Sequence, residues 1–180
     1  MKHHQLLQPN SNMLLSWDEI FHMLAQYYQQ KKLSRATYKD ISPQEKQDVN
    51  INVDGTFIGT NAQDFFPERI QPLLKLFPDT KDVSLYFSFL PGIESHGIHC
   101  DVTDVYIWQQ QGITQWIIYD NGKHTYNLMP GDILYIPKGM YHNTIPITAR
   151  AGLSFGNFPQ DWDMNKETPE EYLKRNATSI

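Results

Sequence analysis

The first third of the chain carries apolar residues at the three- and four-residue spacing of amphipathic helices. One such run follows Ser16, a residue type that caps helix N-termini, and acidic residues come directly after it. We therefore predict a helix from residue 16 to about residue 30. A second apolar face spans 65–77, where Pro72 weakens the helical pattern and Pro78 ends it. In the polar stretch between them, Ser42 and the proline after it indicate a short helix.

From Asp82 onward the pattern changes to alternating or continuous short β-rich runs, which read VSLYFSFL, DVYIWQ, TQWIIYD, DILYIP and GLSFGNF. Turn-forming Pro-Gly, Asn-Gly and Pro-Gly-Asp sequences separate them. Five or more short strands without intervening helices are typical of an antiparallel double-sheet jelly roll or small barrel. We predict a mainly β protein of one domain, with a helical N-terminal region (1–81) packed on a β core (82–158) and a charged tail (159–180) with a short helix.

Length, charge and cysteine content narrow the class of protein. A chain of 180 residues suits one compact domain, and its net charge of -5 provides no overall basic field for nucleic acid. Cys100 is the only cysteine, which excludes an internal disulfide and a thiolate zinc cluster and favours a reducing, cytoplasmic setting. We expect neither export nor a membrane span, because no apolar run has the required length.

Two histidines and one aspartate in the β-rich part form a candidate metal site. His99 and Asp101 stand two residues apart before a strand-like run, so on an extended backbone both side chains project to one face. His142 follows a turn, a strand and a second turn later in the same predicted barrel. Two imidazoles and a carboxylate form the facial triad that leaves coordination positions open and suits Fe(II). Asp104 is a candidate hydrogen-bond partner for a ligand histidine.

An HxD pair alone is common by chance, and the alternative is a set of histidines that bind no metal. Here the pair stands at the entrance to a predicted strand, and the second histidine lies in the same predicted barrel. This combined pattern favours a metal site.

Two segments resemble the oxygenases of the JmjC and ribosomal-oxygenase kind, which belong to the cupin superfamily. HGIHCDVTDVYIWQQQGITQWIIYD is similar to their HxD segment, and LMPGDILYIPKGMYHN is similar to the segment with their distal histidine. The resemblance covers residues 82–158. It implies a double-stranded β-helix, iron ligands at His99, Asp101 and His142, and 2-oxoglutarate as cosubstrate. Asn157 matches an asparagine that some members place beside this cosubstrate.

The chain departs from the family at Thr114, where relatives usually carry the lysine or arginine that pairs with the distal carboxylate of 2-oxoglutarate. A buried carboxylate needs a partner, so another group must replace this cation or the cosubstrate must differ. Arg150 lies in a region from which other 2-oxoglutarate oxygenases supply their basic residue; the alternative is an arginine exposed in a loop. Tyr86, His96 and Thr114 are candidates to hold the carboxylate by hydrogen bonds.

The resemblance implies an Fe(II)- and 2-oxoglutarate-dependent oxygenase, and we expect it to hydroxylate a protein side chain. The substrate is a protein or a small molecule, and the sequence does not give the oligomeric state. Two alternatives remain. One is a metal-dependent cupin enzyme that does not use 2-oxoglutarate, which the threonine at position 114 favours. The other is a cupin module that binds without catalysis, against which the intact triad argues.

Overall fold

The computed structural model describes residues 3–7, 11, 13–36, 55–93 and 95–157. In this part the strands are β1 (Gln5–Leu7), β2 (Leu33–Ala36), β3 (Thr56–Gly59), β4 (Asp82–Ser88), β5 (Val105–Gln111), β6 (Thr114–Tyr119), β7 (Lys123–Leu128), β8 (Ile133–Ile136), β9 (His142–Pro146) and β10 (Arg150–Gly156). The helices are α1 (Trp17–Gln29), α2 (Ala62–Phe65) and α3 (Pro67–Leu74). Among them, no helix combines the length and apolarity that crossing a bilayer requires.

The strands form two antiparallel sheets. The larger sheet has the order β1-β8-β5-β10-β4-β3-β2, and the smaller has the order β7-β6-β9. The central strand of the larger sheet is β10, which pairs with β5 on one side and β4 on the other. This mainly β architecture confirms the predicted fold class, and the five predicted strand runs correspond to β4, β5, β6, β8 and β10.

The outer face of the larger sheet packs against the helices. Alternate residues of β4 and β10, such as Leu85, Phe87 and Leu153, are buried in one apolar cluster with residues of α1 and α3, such as Ile20 and Leu73. Burial of these side chains removes apolar surface from water, which is the main favourable term in folding. The helices therefore cover one face of the sheet and leave its other face directed toward the smaller sheet.

The inner faces of the two sheets enclose a second apolar cluster at one end. It contains Ile107 of β5 and Leu134 of β8 on one side, and Trp116 and Ile118 of β6 on the other. Because side chains alternate along a strand, β10 directs Arg150, Gly152 and Ser154 to this inner face while its intervening residues enter the outer cluster. The polar inner residues of β10 lie where the space between the sheets opens into a pocket.

The N-terminal region contains strands as well as helices, which differs from the prediction of a helical region. β3 pairs with β4, and β2 pairs with β3, so both extend the larger sheet. The helix predicted over 65–77 corresponds to α3, which is shorter than predicted and continues through Pro72. The non-helical backbone of Phe66 separates α3 from α2, which precedes the predicted range. The helices predicted near Ser42 and in the tail, like the end of the predicted β core at residue 158, lie outside the described residues.

A short N-terminal segment connects the two sheets. β1 pairs with β8 at the edge of the larger sheet. Just before it, His4 Nδ1 lies 3.0 Å from Asp120 Oδ2, and His4 Nε2 lies 2.6 Å from the hydroxyl of Tyr126 on β7. The segment is therefore held by the backbone of one sheet and by side chains of the other.

The helical layer is fixed by a capping box and an ion pair. The Ser16 hydroxyl accepts a hydrogen bond from the Glu19 backbone, and the Glu19 carboxylate accepts one from the Ser16 backbone. Arg69 of α3 donates from Nε to the same carboxylate, at 2.9 Å. Burial alone would raise the pKa of Glu19, but the Ser16 hydrogen bonds and Arg69 together outweigh it, so this pKa is lowered.

A carboxylate whose pKa is lowered by folding stabilises the protein above its unfolded-state pKa, and this contribution is lost as the pH falls through the folded-state pKa. We expect Glu19→Gln to lower the free energy of unfolding at pH 7 by about 0.5–1 kcal/mol, the range of a partly exposed pair. At an acidic pH below the folded-state pKa, where the wild-type carboxylate is protonated, the difference should shrink. Urea unfolding at both pH values measures it, with Asp18→Asn as the control; an equal difference at both would contradict the prediction.

Candidate metal centre

The backbones of His99 and His142 pair directly, and this pairing brings the two imidazoles together. His99 N donates to His142 O at 3.0 Å, and His142 N donates to His99 O at 2.8 Å, in an isolated antiparallel bridge beside β9. Directly opposed residues of antiparallel strands place their side chains on the same face. The centroids of the two rings are accordingly 4.3 Å apart.

Asp101 completes the group. Its backbone carbonyl accepts a hydrogen bond from Gly139 N in the turn between β8 and β9, at 2.8 Å, which fixes it next to the His142 segment. Its Oδ2 lies 3.6 Å from His142 Nε2. One ligand atom from each of His99, Asp101 and His142 lies within 4.8 Å of the others. In the part of the chain that the structure describes, this is the only such group of histidine, cysteine or acidic side chains.

Hydrogen bonds to backbone carbonyls set the tautomer of both histidines. His99 Nδ1 lies 2.9 Å from Gly97 O, and His142 Nδ1 lies 3.0 Å from Met140 O. A carbonyl oxygen only accepts, so each Nδ1 carries the hydrogen and each Nε2 presents its lone pair. Metal-bound histidines are typically oriented in this way through the nitrogen that does not bind the metal.

The electrostatics of the group suit a cation. Burial, with the neighbouring His99, holds the pKa of His142 well below its usual range, so this imidazole is neutral and can bind a metal. Burial raises the pKa of Asp101, and the adjacent His99 opposes this rise only in part. A buried carboxylate is unfavourable in an apolar space, and a divalent cation bound beside it would provide the opposite charge. The donor set of two imidazoles and one carboxylate therefore fits the predicted iron.

Two hydrogen bonds of the Asp104 carboxylate go to groups other than the candidate ligand histidines. Its Oδ2 accepts from the Tyr135 hydroxyl at 2.9 Å, and its Oδ1 accepts from Lys138 N at 2.8 Å. It therefore anchors the turn between β8 and β9. The backbone carbonyls of Gly97 and Met140 take the role that the sequence analysis suggested for this side chain.

A pocket opens beside the three side chains. Trp116, His142 and Thr144 of the smaller sheet line one wall. The Trp116 ring lies 5.6 Å from the His142 ring, between centroids. The loop before His99 contributes Ser95 and His96, which are both buried. The candidate metal centre thus lies in a pocket between the sheets.

The inner face of the larger sheet lines the opposite wall, and Arg150 is its charged residue. Only 3% of Arg150 is exposed, which excludes the alternative of an arginine in an exposed loop. Its Nε donates to Ser88 Oγ at 3.2 Å, and its guanidinium lies 6.0 Å from the centroid of the Tyr86 ring. Burial lowers the pKa of Arg150 to about 10, so the group still carries its charge at neutral pH.

One N–H donor group of this guanidinium makes no hydrogen bond within the described residues. Arg150 Nη2 is buried and has no hydrogen-bond partner there. A buried charged donor without an acceptor costs free energy, and such a group in a pocket is a binding element for an anion. Tyr86 lies next to it on the same wall, and the combination of burial and Asp101 raises the pKa of the Tyr86 hydroxyl. This hydroxyl is therefore a neutral hydrogen-bond donor at physiological pH.

The residues predicted for the cosubstrate are only partly brought together. Tyr86, His96 and Arg150 line the pocket, and Thr114 and Asn157 do not. Thr114 is fully buried, with its backbone paired between β7 and β9. Asn157 follows the end of β10, is exposed, and donates from Nδ2 to Asp79 O at 2.6 Å. It lies beyond the strand end opposite to Arg150, because Gly156 pairs with Asp82 and Arg150 pairs with Ser88.

The triad predicts a specific loss of metal affinity on mutation. His142→Ala removes one of three ligands, so we expect Co(II) affinity to fall by more than the ~10–100-fold that loss of an outer partner costs. His124→Ala is the matched control, because His124 is exposed on β7 and its Nε2 contacts Asp120 O. Calorimetric titration with Co(II) measures both variants. Unchanged cobalt affinity of His142→Ala would exclude this centre as the metal site.

No protein-family model matches the chain, and no curated protein matches it by sequence. Its fold is similar to solved structures of YcfD, a ribosomal oxygenase from Escherichia coli. One, in complex with cobalt and succinic acid, has a TM-score of 0.66 and 22% sequence identity and covers 98% of this chain and 52% of that one. Another, in complex with cobalt and 2-oxoglutarate, has a TM-score of 0.63 and 21% sequence identity, and the match covers 99% of this chain and 52% of that one. This chain therefore spans about half of YcfD and shares its fold, which is a double-stranded β-helix.

Proposed function

We propose that this protein is an Fe(II)- and 2-oxoglutarate-dependent oxygenase that hydroxylates a protein side chain. The observation that carries the proposal is the burial of Arg150, with an unused guanidinium donor, in the pocket that also contains His99, Asp101 and His142. The three side chains offer a facial set of metal ligands, and the arginine offers a site for a carboxylate. A ligand with a chelating end and a distal carboxylate, such as 2-oxoglutarate, satisfies both.

In this proposal His99, Asp101 and His142 would hold iron through two imidazole nitrogens and one carboxylate oxygen. Iron and 2-oxoglutarate, when bound, supply the oxidising chemistry: one oxygen atom of dioxygen enters the product hydroxyl and the other enters succinate, with release of carbon dioxide. The backbone carbonyls of Gly97 and Met140 keep both histidines in the tautomer that binds metal.

The rest of the pocket positions the cosubstrate and excludes water. Arg150 takes the distal carboxylate in place of the basic residue that relatives carry at the position of Thr114. Tyr86 lies on the same pocket wall as Arg150, and His96 lies in the loop before His99. Both can donate hydrogen bonds to the distal carboxylate. Trp116 and Ile107 contribute apolar surface beside the ligands, which strengthens the electrostatic contacts inside the pocket.

A protein substrate is supported by the similarity of the fold to a ribosomal oxygenase. The net charge of -5 gives no general attraction to nucleic acid, so we propose a protein side chain and not a nucleic acid as the target. The single cysteine agrees with a cytoplasmic location, which is part of the same proposal.

Arg150→Met keeps the volume of the side chain and removes its charge, so it should weaken 2-oxoglutarate binding selectively. We expect a loss of about 10–100-fold, the range for a hydrogen bond to a charged group. Binding of 2-oxopentanoate, which has the chelating end without the distal carboxylate, should be unchanged. The measurement is anaerobic titration of the Fe(II)-loaded protein, followed by the visible charge-transfer band of the chelate.

Two controls complete this titration. Arg69→Met removes an arginine that is bound to Glu19 outside the pocket and should leave the affinity unchanged. His99→Ala should abolish the band. If the wild-type protein binds iron and develops no band, the 2-oxoglutarate assignment fails and a cupin enzyme that uses only the metal is the better account. If it binds no iron, a cupin module without catalysis is favoured.

The substrate class has its own test. The Fe(II)-loaded protein, incubated in air with 2-oxoglutarate and ribosomal proteins, should add one oxygen atom to a side chain, which peptide mass spectrometry detects. The His142→Ala variant should leave the same peptides unmodified, because it lacks a metal ligand. Consumption of 2-oxoglutarate that responds to small molecules and not to any protein fraction would contradict a protein substrate.

A further inference from the structure

Three polar residues form a row across adjacent strands of the larger sheet. Thr56 of β3 lies opposite Ser88 of β4, and Ser88 lies opposite Arg150 of β10. Residues in such register share one face of the sheet. Thr56 Oγ1 is 2.9 Å from Ser88 Oγ, and Arg150 Nε donates to the same Ser88 oxygen at 3.2 Å. Their exposures are 0%, 0% and 3%, so water does not compete for these bonds.

The row determines which edge of the guanidinium is available to a ligand. A guanidinium binds a carboxylate through two parallel N–H groups, either from the side that includes Nε or from the Nη end. Ser88 occupies Nε, whereas Nη2 has no hydrogen-bond partner among the described residues. The side that includes Nε is therefore engaged, and the Nη end is left for an anion.

The hydroxyl of Ser88 is itself held in place. It accepts from Arg150, and one of its two remaining positions, its donor or its second acceptor, is used by Thr56. An arginine side chain has many rotamers, and fixing one of them before a ligand binds reduces the entropy cost of binding. Thr56 adds a second fixed point from β3, a strand of the N-terminal region.

We propose that Ser88 and Thr56 are positioning residues that hold the Arg150 guanidinium with its Nη end toward the distal carboxylate of the cosubstrate. They act through Arg150 and select a 2-oxo acid that carries a second carboxylate. This inference rests on the proposed function. It assigns a role at the cosubstrate site to the strand β3, which lies outside the segment with the oxygenase resemblance.

The test compares two variants that remove one hydroxyl each with a matched control. Ser88→Ala removes the acceptor of Arg150 Nε, and Thr56→Val removes the outer hydroxyl with little change of shape. Ser84→Ala is the control, because Ser84 lies on the same strand and face and opposes Ser154 instead of Arg150. Anaerobic titrations of the Fe(II)-loaded proteins with 2-oxoglutarate and with 2-oxopentanoate give the affinities.

We expect Ser88→Ala to weaken 2-oxoglutarate about tenfold and Thr56→Val about threefold, as for the loss of one buried hydrogen bond. Neither should change the affinity for 2-oxopentanoate. In an Arg150→Met background, Ser88→Ala should have no further effect on 2-oxoglutarate, because the row acts only through the arginine. In nuclear magnetic resonance spectra of the protein without cosubstrate, the Arg150 Nε–H signal should shift in Ser88→Ala and stay in place in Ser84→Ala.

Three results would overturn the inference: equal 2-oxoglutarate affinity of Ser88→Ala and Ser84→Ala, equal weakening of both oxo acids, or an unchanged Arg150 Nε–H signal. If Ser88→Ala does not fold, Thr56→Val carries the same comparison. A wild-type protein that forms no chelate with 2-oxoglutarate contradicts the proposed function itself. A wild-type protein that binds 2-oxoglutarate through Arg150, with no effect of Ser88, contradicts this inference alone.

Discussion

Two backbone hydrogen bonds between His99 and His142 determine where the chemistry of this molecule lies. They attach the loop after β4 to the edge of the smaller sheet, and they place two imidazoles on one face at a distance that one ion can bridge. The carbonyls two residues before each histidine then set both tautomers. The geometry of the candidate metal ligands follows from strand pairing, so the barrel itself holds these side chains together.

The pocket combines groups that are unfavourable in an empty apolar space. Asp101 is a carboxylate whose pKa is raised by burial, and Arg150 is a buried cation whose Nη2 has no hydrogen-bond partner among the described residues. Each lowers the stability of the free protein, and each is satisfied by a ligand of opposite charge. Under the proposed function, binding of metal and of a dicarboxylate is therefore coupled to folding stability, because ligands that bind only the native state stabilise it.

The sequence predicted the larger features of the fold and the three residues that come together as candidate metal ligands, for different physical reasons. Strands such as β4 and β10 carry apolar side chains on the face covered by helices, and this pattern is visible in one dimension. The His99 and Asp101 pair is visible because two residues on an extended chain share a face. β2 and β3 have only four residues each and lie in a region whose pattern predicts helices. They are recognisable as strands only from their pairing in the larger sheet, which the sequence pattern does not show. The environment of Arg150 was equally hidden, because its acceptor, Ser88, is 62 residues away in the chain.

Because β1, β2 and β3 belong to the larger sheet, the segment that carries the metal-site motif is not a complete folding unit. A segment that starts at residue 82 would keep all three metal ligands and Arg150, and by motif it would look like a complete catalytic unit. It would lose three of the seven strands of the larger sheet and expose the edges of β4 and β8. Unpaired edges recruit other chains, so such a fragment would tend to aggregate. In this fold the unit that can be transplanted or recombined is larger than the unit that carries the recognisable chemistry.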